Sequence, residues 1–370
     1  MNILIATAPD DLHAQLVKLA LEDKGHRCIL WYMGDMPTKQ KNSIYCENGH
    51  YSWMMENAIG AKTITENEID VVWWRRTRNP FIPKTGHEND FDFIRKENVI
   101  FCDSIPLTLV QGPWWINPFD SIKYASSKVY QLKLAASLDF KIPATLISNA
   151  PEKIKEFIAN NKNSQVIYKG FSCHHWCENN RLKLSYTKTV AHEQLPSDST
   201  LQLTPGIYQE KLKKKYELRV TCFGDYLVAV KINSQEHAKG LNDWRVIPPG
   251  ELGIEPYQLS TSIGNKIRGF MKRLGIVFGC FDFVVTPDDE LYFLEVNQQG
   301  QFLWIEDLIP QIKMLDMFTN FLIQKTTSFN WKRDSELISL KNYEPSAIKK
   351  IDENMDNHIY RSPIKTSASF

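Results

Sequence analysis

Apolar residues recur along the chain at two periods, and the alternation between them predicts a mixed α/β architecture. The run Asn2–Ala8 reads as a strand, and residues 10–24 then carry Leu12, Leu16, Leu19 and Ala20 at helical spacing before Gly25. Further strands are expected over Cys28–Met33 and over Ile69–Trp74, the latter running into Arg75, Arg76 and Arg78. Residues 42–56 alternate as a hairpin does around Glu47, Asn48 and Gly49, so residues 1–118 form a small α/β sheet domain.

The proline- and aromatic-rich stretch PWWINPFDSI (113–122) ends that domain, and an amphipathic helix is expected over Ser126–Phe140. Strands over Ile142–Ser148, Gln165–Lys169 and Leu182–Val190, with a helix over Pro151–Asn160, make residues 119–206 a second unit. Residues 207–326 read as a third: GIYQEKL, then a hairpin turning at Gly224-Asp225, a loop with Asp243-Trp244-Arg245, a helix over Ser260–Leu274, and CFDFVVTPDDELYFLEVN. Residues 327–370 are polar with little periodicity and read as a partly ordered tail.

A length of 370 residues fits several packed units, and a net charge of +1 gives no field that would favour nucleic acid or an anionic membrane. The seven cysteines are scattered and odd in number, and the chain has neither a signal-like start nor a membrane-spanning apolar run. A soluble, cytoplasmic protein is expected.

The chemistry concentrates near the end of the third unit. A hairpin turn centred between Asp288 and Asp289 sets Asp282 opposite Glu295, and Asn297, two residues on, shares the face of Glu295. Opposed carboxylates repel unless a cation lies between them; oxygen donors in this number suit Mg²⁺, which completes its shell with water and phosphate. The same spacing also suits the polar face of a half-exposed hairpin. Lys128 on its helix and Lys169 at a strand end are placed to direct cations into a cleft, although either alone reads better as a solvated charge. Gln209 and Glu210, followed by Lys211-Leu212, offer the alternating backbone groups that an adenine edge needs. Arg219, next to Glu217 in its strand, and Arg245 in its loop suit fork-like binding of phosphate or carboxylate, with an ion pair to a neighbouring acid as the alternative for Arg219.

Other patterns carry less. Cys173-His174-His175-Trp176-Cys177 lacks the spacing of a zinc site and reads as a loop that closes over nucleotide or peptide. WWRRTRNP (73–80) reads as a strand end facing substrate, or as strand packing with solvated arginines, and Lys213–Lys215 as a solvated turn.

No phosphate-binding G-x-x-x-x-G-K-[ST] loop occurs. The order helix lysine, strand lysine, Gln-Glu, arginine strand, then Asp and Glu-x-Asn resembles the ATP-grasp ligases from about Trp114 to Asp307. WWRRTRNP, the stretch Trp114–Asn149, Asp243-Trp244-Arg245 and EVNQQGQFLWIED look like the RimK-like branch that matures ribosomal peptides, the microviridin-type or graspetide ligases. The resemblance implies an α/β (α+β) ATP-grasp fold behind a Rossmann-like pre-ATP-grasp domain. It assigns ATP phosphates to Lys128 and Lys169, adenine to Gln209, Glu210 and Leu212, the ribose to Glu217, Mg²⁺ to Asp282, Glu295 and Asn297, and the transferring phosphoryl group to Arg219 and Arg245. It further implies phosphorylation of Asp or Glu side chains in a ribosomal precursor peptide, closure of ester or amide rings by Ser, Thr or Lys, and room for a homodimer. Gln298 stands where the family commonly has proline, and Glu217 where aspartate is usual before Leu-Arg. A ligase of free amino acids or a small acid, and a non-catalytic nucleotide-binding peptide chaperone, are the rival readings.

Overall fold

Ile3–Ala6 is buried throughout, as a central parallel strand must be when helices or loops cover both its faces. It pairs in parallel with Arg27–Trp31 on one side and Val71–Trp74 on the other, and Trp114–Ile116 adds a fourth parallel strand beyond. The helix Leu12–Asp23 crosses over between the first two strands, its start capped by Asp11, whose carboxylate accepts from the Ala14 N–H. A three-stranded antiparallel sheet, Gln40–Glu47, His50–Asn57 and Gly60–Thr65, is inserted before Val71. Its first hairpin turns on Asn48 and Gly49, both at positive φ (47° and 82°), as the sequence alternation indicates. The computed structural model describes residues 1–359 apart from 58–59, 66–67, 162–164, 173–174, 179–180, 185–186, 249 and 334–337.

Two antiparallel sheets follow. The first orders Lys188–Val190, Val166–Lys169, Gly206–Glu210 and Thr145–Ser148, with the helix Pro151–Asn160 packed on it through Ile154 and Ile158. The second orders Ile254–Tyr257, Tyr226–Ile232, Tyr216–Phe223, Phe278–Val285 and Leu291–Asn297. One face of this sheet, through Leu218, Val220 and Phe281, packs on the helix Thr261–Leu274. On the other face, Phe223 and Phe278 join Phe302, Phe318 and Phe321 in an aromatic core that continues into the N-terminal sheet through Trp73.

The helix expected over Ser126–Phe140 begins at Lys128, because Ser127 caps it by accepting the Tyr130 N–H, and a separate short helix spans Phe119–Ala125. The segment read as a partly ordered polar tail holds an 18-residue helix, Leu340–Asn357. Leu340, Ala347 and Ile351 enter the same core as Leu16, Ala20 and Phe318, while Tyr343 donates to Asp23 (2.8 Å) and Asn354 to the Tyr32 hydroxyl (3.0 Å). Pro345 inside the helix disguises this apolar spacing in the sequence. Ile351→Ala is therefore expected to destabilise the fold by about 2–4 kcal/mol, measured by urea unfolding, where a solvated tail would show no change.

Candidate active site

The strands Tyr216–Phe223, Phe278–Val285 and Leu291–Asn297 carry the acidic half of the site on one face. Asp282 lies opposite Glu295 and Cys280 opposite Asn297, as the hairpin arithmetic requires, but the turn is tighter than assumed. The Thr286 N–H donates to the Glu290 carbonyl (3.0 Å) around Pro287, Asp288 and Asp289, the last at φ 59°. A regular ladder from that turn would place Leu294 against Asp282. A bulge after Asp282 absorbs the extra residue, so Phe293 turns into the core opposite Phe283 while Glu295 turns to the other face.

Arg219 pairs with Asp282 across the neighbouring ladder, and its Nη1 forks onto both carboxylate oxygens (2.8 and 2.7 Å) while Nη2 donates to the Gln301 carbonyl (2.9 Å). This is the ion pair that the strand pattern left open. Burial works against the charge of Arg219, but Asp282 outweighs it and holds the guanidinium further above its usual value. Burial and the Glu295 charge push Asp282 above the ordinary carboxylate range, with Arg219 offsetting them in part. Glu295 shifts the other way: burial opposes its ionisation, and the cations of Lys128, Lys169 and Arg245 together prevail and lower its pKa.

Lys128 reaches Glu295 at 2.9 Å from the first turn of its helix. What sets that reach is Gln131, one turn on and buried, which donates to the Val296 carbonyl and accepts the Val296 N–H (both 2.9 Å), fastening the helix to the strand edge. Lys169 comes from the other antiparallel sheet and donates to the Gln209 side chain (2.9 Å), whose amide in turn donates to Thr145 (2.9 Å). Burial lowers the Lys169 pKa to about 8, assisted by Lys128 and Lys214 and resisted by Glu295 and Glu217. Lys214 is not a solvated turn residue: it pairs with Glu217 at 2.9 Å and donates to the Asn242 carbonyl (3.0 Å). Burial raises the Glu217 pKa against the pull of Lys214 and Ser234. Arg245 forks onto Asp243 (2.8 and 2.6 Å), and that hydrogen bonding is the main cause of its raised pKa.

The Glu210 N–H donates to the Ala144 carbonyl (2.9 Å) and the Lys211 N–H to the Gln165 carbonyl (3.0 Å). Leu212 lies just past the end of its strand, so its N–H has no ladder partner among the described residues. Cys173 and His174 lie outside the described residues. His175–Glu178 forms a strand paired with Arg181–Leu184. Of WWRRTRNP, Trp73 and Trp74 are core residues, Arg75 is wholly buried against Asp11 (2.6 Å), and Arg78 forks onto Asp10 (2.6 and 2.8 Å), so neither of these two arginines is simply solvated. Arg75, Asn117 and Gln131 are contributors that sequence reasoning missed; each acts on backbone far away in the chain, which leaves no local pattern.

The arrangement is four cations, Lys128, Lys169, Arg219 and Arg245, interleaved with two carboxylates on one face. Mg²⁺ fits this donor set, which offers only hard oxygen ligands, and the surplus of cations suits a polyphosphate beside it. A separate groove of about 620 Å³, between Tyr226, Tyr257 and Arg268, lies by the Thr261–Leu274 helix on the other face of the sheet and has no part in this cluster.

No protein-family model and no curated protein matches the chain. Solved structures do. A Chryseobacterium gregarium RiPP-associated ATP-grasp ligase in complex with ADP and a leader and core peptide matches with a TM-score of 0.76 and 25% identity, covering 88% of this chain and 97% of its own. Macrocyclase MdnC bound with precursor peptide MdnA, from Microcystis aeruginosa MRC, matches at 0.74 and 26%, covering 88% and 100%. The ATP-grasp ligase PsnB, complexed with minimal precursor, Mg and ADP, shares the fold at 0.65 and 19%, covering 88% and 98%. RiPP denotes a ribosomally synthesised and post-translationally modified peptide. The resemblance carried by the sequence motifs is thus met in three dimensions: the chain is an ATP-grasp, ATP-dependent ligase, similar over most of its length to the RiPP-associated members of that fold.

Proposed function

We propose that the chain is an ATP- and Mg²⁺-dependent ligase that activates Asp or Glu side chains of a ribosomal precursor peptide and closes ester or amide rings with Ser, Thr or Lys. The observation that carries this reading is the cluster of Lys128, Lys169, Arg219 and Arg245 around the paired Asp282 and Glu295. Its support from outside is that the structures of 25% and 26% identity are both complexes with peptides.

In the first step a substrate carboxylate oxygen attacks the γ-phosphorus of ATP and ADP leaves. In the second, a hydroxyl or amine attacks the activated carbonyl, inorganic phosphate leaves, and the nucleophile's proton passes to solvent. Lys128 and Lys169 hold the phosphates, and Arg219 and Arg245 face the charge that develops on the transferring group. The Glu210 carbonyl and the Leu212 N–H meet the adenine edge beside Gln209, and Glu217 lies towards the ribose. Asp282, Glu295 and Asn297 would hold Mg²⁺, which would neutralise the negative charge of the phosphates. Cys28, Cys46, Cys102, Cys222 and Cys280 are free thiols, which supports a reducing, cytoplasmic setting. Among the described residues no helix is long and apolar enough to cross a membrane.

Co-expression with an acidic candidate precursor, followed by intact-mass analysis, is expected to show loss of one water per ring, and purified protein should release ADP only with that peptide. ADP release driven by free amino acids or small acids, with no peptide mass change, would favour the small-molecule ligase. Peptide binding with no ADP release would favour the chaperone.

A further inference from the structure

Asn297 is the third proposed Mg²⁺ ligand, and its Oδ1 accepts from the N–H groups of Gln299 and Gly300, both at 3.0 Å. Each of these N–H groups belongs to a planar peptide whose carbonyl is itself held. The Gln298 carbonyl, sharing a peptide with the Gln299 N–H, accepts from Asn117 Nδ2 (2.9 Å). The Gln299 carbonyl, sharing a peptide with the Gly300 N–H, accepts from Arg75 Nη1 (2.6 Å), which also serves the Gly300 carbonyl (2.6 Å). Two hydrogen-bonded chains therefore run from buried donors of the N-terminal domain, through one peptide each, to the same oxygen.

We propose that Arg75 and Asn117 are positioning residues for the Mg²⁺ site, which fix Asn297 through the peptides 298–299 and 299–300. This rests on reading Asp282, Glu295 and Asn297 as that site. Both donors are themselves anchored. Asp11 holds Arg75 Nε at 2.6 Å and is held by the Thr7 hydroxyl (2.7 Å), and Asn117 Oδ1 accepts the N–H groups of Val277 and Phe278 (both 2.7 Å). Hydrogen-bond chains of this kind polarise one another, so a cation at the far carbonyl strengthens the hold of the near N–H. The turn is closely packed at Gly300 (φ 45°), where a Cβ would meet Cys280 Sγ at 2.7 Å and Phe278 at 2.9 Å. The N-terminal sheet thus holds the metal turn directly, since Arg75 and Asn117 each follow the end of one of its strands.

The test compares the affinity of a non-hydrolysable ATP analogue with Mg²⁺ and in EDTA, by calorimetry on the full chain, for wild type, Arg75→Lys, Asn117→Asp and His13→Gln. Arg75→Lys keeps the charge but not the fork, and Asn117→Asp keeps the acceptor but not the donor. His13 accepts the N–H groups of Phe302 and Leu303 (both 3.1 Å), fastening the next residues of the same segment, and so serves as the control for simple loss of stability. The Mg²⁺-dependent gain in affinity is expected to fall roughly tenfold or more in Arg75→Lys and Asn117→Asp, with affinity in EDTA within about twofold of wild type. His13→Gln should keep the full gain while its melting temperature drops. An unchanged gain in both positioning variants, or an equal loss in His13→Gln, overturns the proposal; if Arg75→Lys does not fold, Asn117→Asp decides. A wild type that binds the analogue equally with and without Mg²⁺ overturns the site reading itself and the inference with it.

Discussion

Glu295→Gln is expected to lower peptide-dependent ADP release by at least about 10²–10³-fold while leaving the protein folded. The substitution keeps the shape of the side chain and removes its charge. That charge is the counter-ion of Lys128, 2.9 Å away, and of Lys169 nearby, and in the proposed site it would also be a metal ligand. Without it, two cations face each other with less compensation, and the phosphate pocket loses the balance that keeps Lys169 protonated. The fold does not depend on it in the same way. The Glu295 side chain is 37% exposed at the rim of its strand, so its melting temperature should move by no more than about 3 °C. Asp282→Asn is a poorer test, because it would strand the buried guanidinium of Arg219 and cost about 3–5 kcal/mol by itself. Turnover within a few-fold of wild type in Glu295→Gln would reject the metal assignment, and a large loss of melting temperature would mean that the residue is structural.

The facing of Asp282 and Glu295 was legible in the sequence, but partly for a reason the sequence did not display. Two opposite departures cancel: the turn is centred one half-residue earlier than assumed, and the bulge at Leu294 adds the residue back. Period-2 alternation reports faces only while the ladder stays regular, so the core position of Phe293 beside the cleft position of Glu295 could not be read from it. The parallel N-terminal sheet, the Asn48-Gly49 hairpin and the helix ending at Gly275 were legible because their signals are local: apolar runs, φ-permissive turn residues and caps. The fastening of the site was not. Gln131 bonds to Val296, Asn117 to Gln298 and Arg75 to Gly300 across 165, 181 and 225 positions, and a buried polar residue looks the same in sequence whatever distant backbone it satisfies. The C-terminal helix was hidden for a different reason: Leu340, Ala347 and Ile351 do repeat at helical spacing, but Pro345 breaks the pattern that a reader would score.

Raising the pH should weaken ATP capture before it slows turnover, with Lys169 as the titrating group. Its pKa in the nucleotide-free protein lies at about 8, because burial disfavours the ammonium and the nearby Lys128 and Lys214 add to that. The apparent second-order constant kcat/KM for ATP reports the free enzyme, so it should stay level to about pH 7.5 and fall by up to about tenfold per unit well above pH 8. Bound triphosphate places negative charge beside the ammonium and raises its pKa, so kcat at saturating ATP should hold to a higher pH. The stability effect runs the other way. The folded value of about 8 lies below the ordinary 10.5, so the unfolded chain holds the extra proton between the two, and stability rises with pH across that window. Below pH 8 both states are protonated and the full penalty of burying the charge remains. Lys169→Arg separates this group from every other that titrates nearby, since a guanidinium keeps its charge throughout. Its rate constant should be lower, because the fork does not fit where a single ammonium meets Gln209 at 2.9 Å, but its fall near pH 8 should vanish. A limb that persists at the same midpoint in Lys169→Arg would show that another group carries it and that Lys169 does not titrate in that range.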